Sequence, residues 1–161
     1  MRVILALIVF FNISFSSIVN PETGWEYVQS TLQAFYMFND DFIYEGDGCT
    51  YEQSSNDVNC YCLDSPDTCD VIGAFYNDVC IGWIYADNEG WTTVPAMGAS
   101  FGSTGTPGSE NYAVEGSLIT FKLYDASSGI EYPIIDPICQ SNNGDCSWSS
   151  NVINIFEGPF T

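Results

Sequence analysis

The chain is predicted to be all-β, an antiparallel β-sandwich of immunoglobulin-like or jelly-roll-like type, with roughly seven or eight strands and a disulfide-pinned loop insertion. Three observations predict it. Short runs rich in β-branched and aromatic residues recur along the chain, turn-forming clusters separate them, and nothing after the first residues has convincing helical periodicity. The clearest run is Leu118 to Tyr124, where Ile119, Phe121 and Leu123 share one face and Thr120, Lys122 and Tyr124 the other.

In chain order, Trp25 to Phe38 reads as one or two strands, although Ser30 to Met37 would also fit a helical turn. Val71 to Tyr76 and Val79 to Asp87 read as a hairpin around Asn77-Asp78, because asparagine tolerates the positive φ of a two-residue turn. A second turn, Asp87-Asn88-Glu89-Gly90, leads into a strand from Trp91 to Met97, where Pro95 indicates an edge or a bulge. Gly98 to Gly108 is rich in Gly, Ser, Thr and Pro and reads as a loop. After Leu118 to Tyr124 come the turn Asp125 to Gly129, a strand from Ile130 to Ile135 limited by Pro133 and Pro137, and a last strand from Val152 to Phe156. No internal repeat is visible.

Residues 1–16 read as a signal peptide. Met1-Arg2 precedes the apolar run Val3 to Phe11, and Ser14 and Ser16 supply the small residues a signal peptidase needs. The run falls short of the ~20 apolar residues of a spanning helix, and no second apolar stretch approaches that length, so the mature chain is not expected to enter a membrane. Residues 17–161 then form one domain, with a Cys-rich insertion at about residues 47–69. The expected location is outside the cell or at its surface.

The net charge is −19, from 2 Lys and Arg against 21 Asp and Glu. A polyanion this poor in cations cannot neutralise phosphates, so no nucleic-acid partner is expected. An apolar fraction of 46% with 16% aromatics indicates a folded core rather than a disordered chain.

Seven cysteines in an exported chain imply disulfides and at least one residue left over. Cys139 and Cys146 flank a polar turn and are expected to close it. Cys49, Cys60, Cys62 and Cys69 crowd one polar stretch, and two pairings remain open: Cys49–Cys60 with Cys62–Cys69, or Cys49–Cys62 with Cys60–Cys69. Loops this short are stabilised by roughly 2.5 kcal/mol each. Cys80 lies in the apolar run Val79 to Ile84 and is expected to be a buried small hydrophobe rather than a reactive thiol.

The segments Asp70-Val-Ile-Gly-Ala-Phe-Tyr-Asn-Asp-Val-Cys-Ile-Gly82 and Phe121-Lys-Leu-Tyr-Asp-Ala-Ser-Ser-Gly129 resemble a module that recurs in secreted multidomain surface proteins, common among bacteria of the Bacteroidetes group. Those modules carry a similar D-x-I-G-A-F-x-G-D-x-C-x-G hairpin and F-K-x-Y-D-x-S-x-G strand and turn, and Gln29 to Tyr36 is similar to their first core strand. The resemblance covers about residues 25 to 135. It implies a β-sandwich that usually accompanies adhesion, carbohydrate handling or surface attachment, and it does not imply a catalytic role. Asn77 departs from the usual glycine, and the insertion at 47–69 has no counterpart.

The absence of histidine rules out a Ser-His-Asp triad, a Cys-His pair and His-ligated zinc. No phosphate-binding glycine loop or dinucleotide fingerprint is present. A carboxylate pair for glycoside hydrolysis is the enzymatic route left, and 21 acids make chance pairs inevitable. The expected function is therefore a non-catalytic binding or adhesion module for an extracellular polysaccharide or a surface protein. A structural subunit of an extracellular coat or filament, hence a homo-oligomer, is the alternative.

For a carbohydrate, the candidate ligand-binding residues are Trp83 and Tyr85 on one strand face, with Trp91 just across the following turn. The alternative is that these rings belong to the core. For a cation, Asp40, Asp41, Asp87 and Glu89 offer loop oxygens of the kind calcium takes, though none follows EF-hand spacing, and solvated acidic loops are the alternative.

Overall fold

The structure, a computed structural model, describes residues 17–39, 70–86, 91–103, 105–126, 128–140 and 144–157. Ten strands run through them: β1 Ser17–Val19, β2 Glu26–Val28, β3 Gln33–Phe38, β4 Val71–Tyr76, β5 Val79–Tyr85, β6 Thr92–Met97, β7 Thr120–Asp125, β8 Ile130–Ile134, β9 Ile138–Cys139 and β10 Ile153–Glu157. They form one two-stranded sheet, β1-β2, and two four-stranded sheets ordered β6-β3-β10-β9 and β5-β4-β7-β8. The predicted fold class, all-β, is what the chain adopts. The segment Ser30 to Met37, ambiguous between helix and strand, is settled as strand from Gln33.

The β4–β5 hairpin follows from its turn. Asn77 and Asp78 have φ of 48° and 63°, the left-handed pair that a two-residue turn matched to strand twist requires. Between Ala74 and Phe75 the pairing with β5 shifts, so that Phe75 opposes Cys80 while Ala74 opposes Gly82. Ile81 is the extra residue of this bulge and is fully buried in the core.

Alternation on β7 is as expected. Phe121 and Leu123 are buried, and Lys122 lies on the other face, 3.3 Å from Glu131 and 4.8 Å above the Phe75 ring. Glu131 also accepts the Trp25 indole N–H at 3.2 Å. Trp25 meets Phe75 edge-on at 5.2 Å and lies over Gly73, where a Cβ would stand 2.6 Å from its ring. Gly73 is thus a notch that seats the indole on the sheet.

Side chains of both four-stranded sheets meet in one apolar cluster. Tyr36 and Phe38 of β3 and Phe156 of β10 come from one sheet, and Ile72, Ala74, Phe121 and Leu123 come from the other. Trp148 closes one side of the cluster, its indole N–H donating to the Ala96 carbonyl at 2.9 Å and its ring occupying the space a Gly98 side chain would need.

One expectation needs correction. Pairing is not antiparallel throughout, because β10 runs parallel to β3, with Ile153 opposite Phe35 and Phe156 opposite Phe38. Alternation is the same for either strand direction. The direction is set where the chain enters, with Asn151 N–H bonded to Gln33 O at 2.7 Å and Phe35 N–H to Val152 O at 2.9 Å.

Cys139 and Cys146 form the expected disulfide, with Cα atoms 5.7 Å apart. Cys49, Cys60, Cys62 and Cys69, with the stretch expected to be an insertion, lie outside the described residues, as do residues 1–16, expected to be a signal peptide. Cys80 is an unpaired, buried thiol, packed with Trp25, Val71 and Phe75.

Burial pushes the Cys80 thiol up to about 11 from its ordinary 9.0, against smaller opposing effects of the Gly82 backbone and the charge of Lys122. The folded state thus favours the protonated thiol, a contribution that is complete below pH 9 and is lost as pH rises through 11. Denaturant midpoints are expected to hold between pH 7 and 9 and to fall above it, with Cys80 unreactive to iodoacetamide at pH 8 until the chain unfolds. Rapid alkylation of native Cys80 at pH 8, read by peptide mass, would contradict this.

Candidate functional site

Among the described residues, two surfaces combine aromatic and polar side chains that a small ligand could use. On β5 the two-residue period puts Trp83 and Tyr85 on one face, and they meet edge-on with centroids 5.6 Å apart at 78°. The N-terminal hairpin lies beside them. The Trp83 indole N–H donates to the Ile18 carbonyl at 3.4 Å, and the Tyr85 hydroxyl donates to Glu22 at 3.1 Å. Burial, followed by the charge of Glu22 and its hydrogen bond, pushes the Tyr85 phenol up to about 12, so it remains a donor.

Glu22 is carried by a loop that Asn20 organises. The buried Asn20 side-chain oxygen accepts from Glu22 N, Thr23 N and the Thr23 hydroxyl at 3.1, 2.8 and 2.9 Å. Trp91 is 44% exposed just before β6 and, among the described residues, has no ring partner. The structure therefore joins Trp83 to Tyr85 and leaves Trp91 outside their pair. Asp40, Asp41, Asp87 and Glu89 lie outside the described residues. Among the described residues, no three of His, Cys, Asp and Glu are grouped to hold a metal ion.

The two motifs that carry the family resemblance meet at one end of the β5-β4-β7-β8 sheet. The side chain of buried Asp70 accepts from Ala126 N at 2.9 Å, and its backbone carbonyl accepts from Ala86 N at 2.8 Å. Asp125 accepts from both the backbone N and the hydroxyl of Ser128, and Gly129 closes the turn at φ +68°. The aspartates of the two motifs thus fix turn geometry.

The second surface is a solvent-open depression of about 470 Å³ at the opposite end of the β4–β5 hairpin. Tyr76, Asn77 and Val79 form one wall, and Glu110, Asn111, Tyr112 and Val114 form the other. The turn at Asn77-Asp78 fixes the first wall. The second is anchored by Tyr112, a buried ring whose hydroxyl oxygen accepts the Val28 N–H at 2.7 Å. Burial pushes the Tyr112 phenol above its ordinary value, so it stays neutral. Glu110 accepts from Gly108 N at 2.9 Å.

The Tyr76 ring can pack on an apolar ligand face, while the neighbouring amides and one carboxylate pair with hydroxyls at its edge. Sequence reading missed this surface. It treated Tyr76-Asn77 only as hairpin and gave residues 109–114 no role.

These features define an all-β, disulfide-bearing protein with a tyrosine- and asparagine-lined depression at one end of a hairpin. Comparison with protein-family models, with curated proteins and with solved structures gave no match.

Proposed function

We propose that the chain is a secreted, non-catalytic module, folded as a β-sandwich, that binds a neutral carbohydrate segment in the depression between Tyr76 and Asn111. The observation that carries this is the convergence of the half-buried Tyr76 ring, two asparagines and a glutamate around about 470 Å³, over a wall anchored by buried Tyr112. Hydroxyl-rich ligands use such mixed walls, because amides and carboxylates accept or donate at the sugar edge while rings cover its CH face. A net charge of −19 repels acidic polysaccharides, which favours neutral ones. The leader read in residues 1–16, the seven cysteines, two of them joined in a disulfide, and the resemblance to secreted surface modules support an extracellular setting.

Binding is tested on a panel of neutral and acidic oligosaccharides with the full mature chain. At least one neutral glycan is expected to bind, and Tyr76→Ala and Asn111→Ala to weaken it ten-fold or more, which is about 1.4 kcal/mol. A loss on Trp91→Ala with both of those variants silent would move the ligand to the Trp83, Tyr85 and Trp91 side. No binding to any neutral glycan would refute the proposal.

A further inference from the structure

The outer face of the β6-β3-β10-β9 sheet is mostly apolar. Cross-strand register puts Pro95, Phe35 and Ile153 in one row and Thr93, Met37 and Ile155 in the next, all opposite the faces that build the core. Ile138 of β9 stands beside Glu157 of β10 on the same face. Ile153, Ile138 and Ile155 are 58%, 53% and 36% exposed, and among the described residues no element packs over them. A contiguous apolar patch of this kind is the mark of an interaction surface, unlike scattered single side chains.

We propose that this face docks a polypeptide partner whose contact surface is apolar at its centre and carries lysine or arginine at its rim. Charge selects that occupant. The chain carries −19 overall, and of its two cations Lys122 lies on the other four-stranded sheet, already paired with Glu131. Two copies meeting here would set −19 against −19, with Glu157 on each side of the contact. A cationic rim instead gains from that field while the isoleucines lose water. A carbohydrate finds little here, since the rows offer one ring, Phe35, and one hydroxyl, Thr93.

The probe is a fluorescent octapeptide of alternating valine and lysine, titrated into the full mature chain, with an equally charged serine-lysine peptide as control. Ile153→Ser with Ile155→Ser changes no charge and alters only exposed positions. The valine peptide is expected to bind at least ten-fold more weakly to that variant, and the serine peptide at least ten-fold more weakly to the native chain. Met37 in the native chain is expected to be protected from peroxide oxidation by the valine peptide only, a readout that does not depend on the variant folding. Equal binding of both peptides, unchanged Met37 oxidation, or a peptide-independent dimer in sedimentation that protects Met37 would each overturn the proposal.

Discussion

Gly82→Ala is expected to lower the melting temperature by more than 10 °C or to prevent folding. A Cβ at this position would stand 1.8 Å from the Pro95 carbonyl oxygen and 2.7 Å from its carbonyl carbon. Both are backbone atoms, and Pro95 is held in register with Phe35 of β3, so no side-chain rotation relieves the clash. Strands β5 and β6 would have to part by roughly 1 Å or more at a close-packed contact, which forfeits a large share of its dispersion energy. Overpacking of this kind costs about 3 kcal/mol or more when backbone must yield. Gly24→Ala is the matched control. Nothing lies within 4 Å of a Cβ there, and only its φ of +71° opposes alanine, for about 1–2 kcal/mol. A Gly82→Ala protein that melts within 3 °C of the native chain would mean that β5 and β6 do not approach as described.

Phe121→Ala is expected to remove about 3–5 kcal/mol, the range for emptying a large aromatic site in a core. Phe121 is 2% exposed and touches three rings from the opposite sheet, Tyr36 at 5.0 Å, Phe38 at 5.1 Å and Phe156 at 5.6 Å. Its loss therefore opens a cavity where the two sheets share their core. Against a total stability of about 5–15 kcal/mol for a domain, that is a large fraction. Urea unfolding followed by tryptophan fluorescence measures it, with Leu123→Ala as a second site on the same face. A change below about 1.5 kcal/mol would show that the ring cluster adds little to the transfer term.

Elements whose signal is local were legible in the sequence. The hairpin at Asn77-Asp78 announced itself through residues that tolerate positive φ, and β7 through strict alternation. Two strands escaped because they are too short to show a period, β1 with three residues and β9 with two. Strand direction escaped at β10 because alternation carries no arrow. The pairing of Trp83 with Tyr85 followed from their spacing. Where Trp91 would lie did not, since it comes just before β6, a strand of the other four-stranded sheet. The depression was invisible for the same reason, as its two walls come from segments over thirty residues apart that only the tertiary fold brings together.

The parallel strand β10 also sets a schedule. It sits inside its sheet between β3 and β9, so β3 has one neighbour missing until residues 153–157 have been synthesised. The β4–β5 hairpin can form as it emerges, whereas the Tyr36, Phe38 and Phe156 layer must wait for the last strand. Until then that layer of the core stays open, whatever the hairpins that precede it have already formed. The two four-stranded sheets therefore close over each other late, because the ring layer they share needs a strand that is far along the chain from its partner β3.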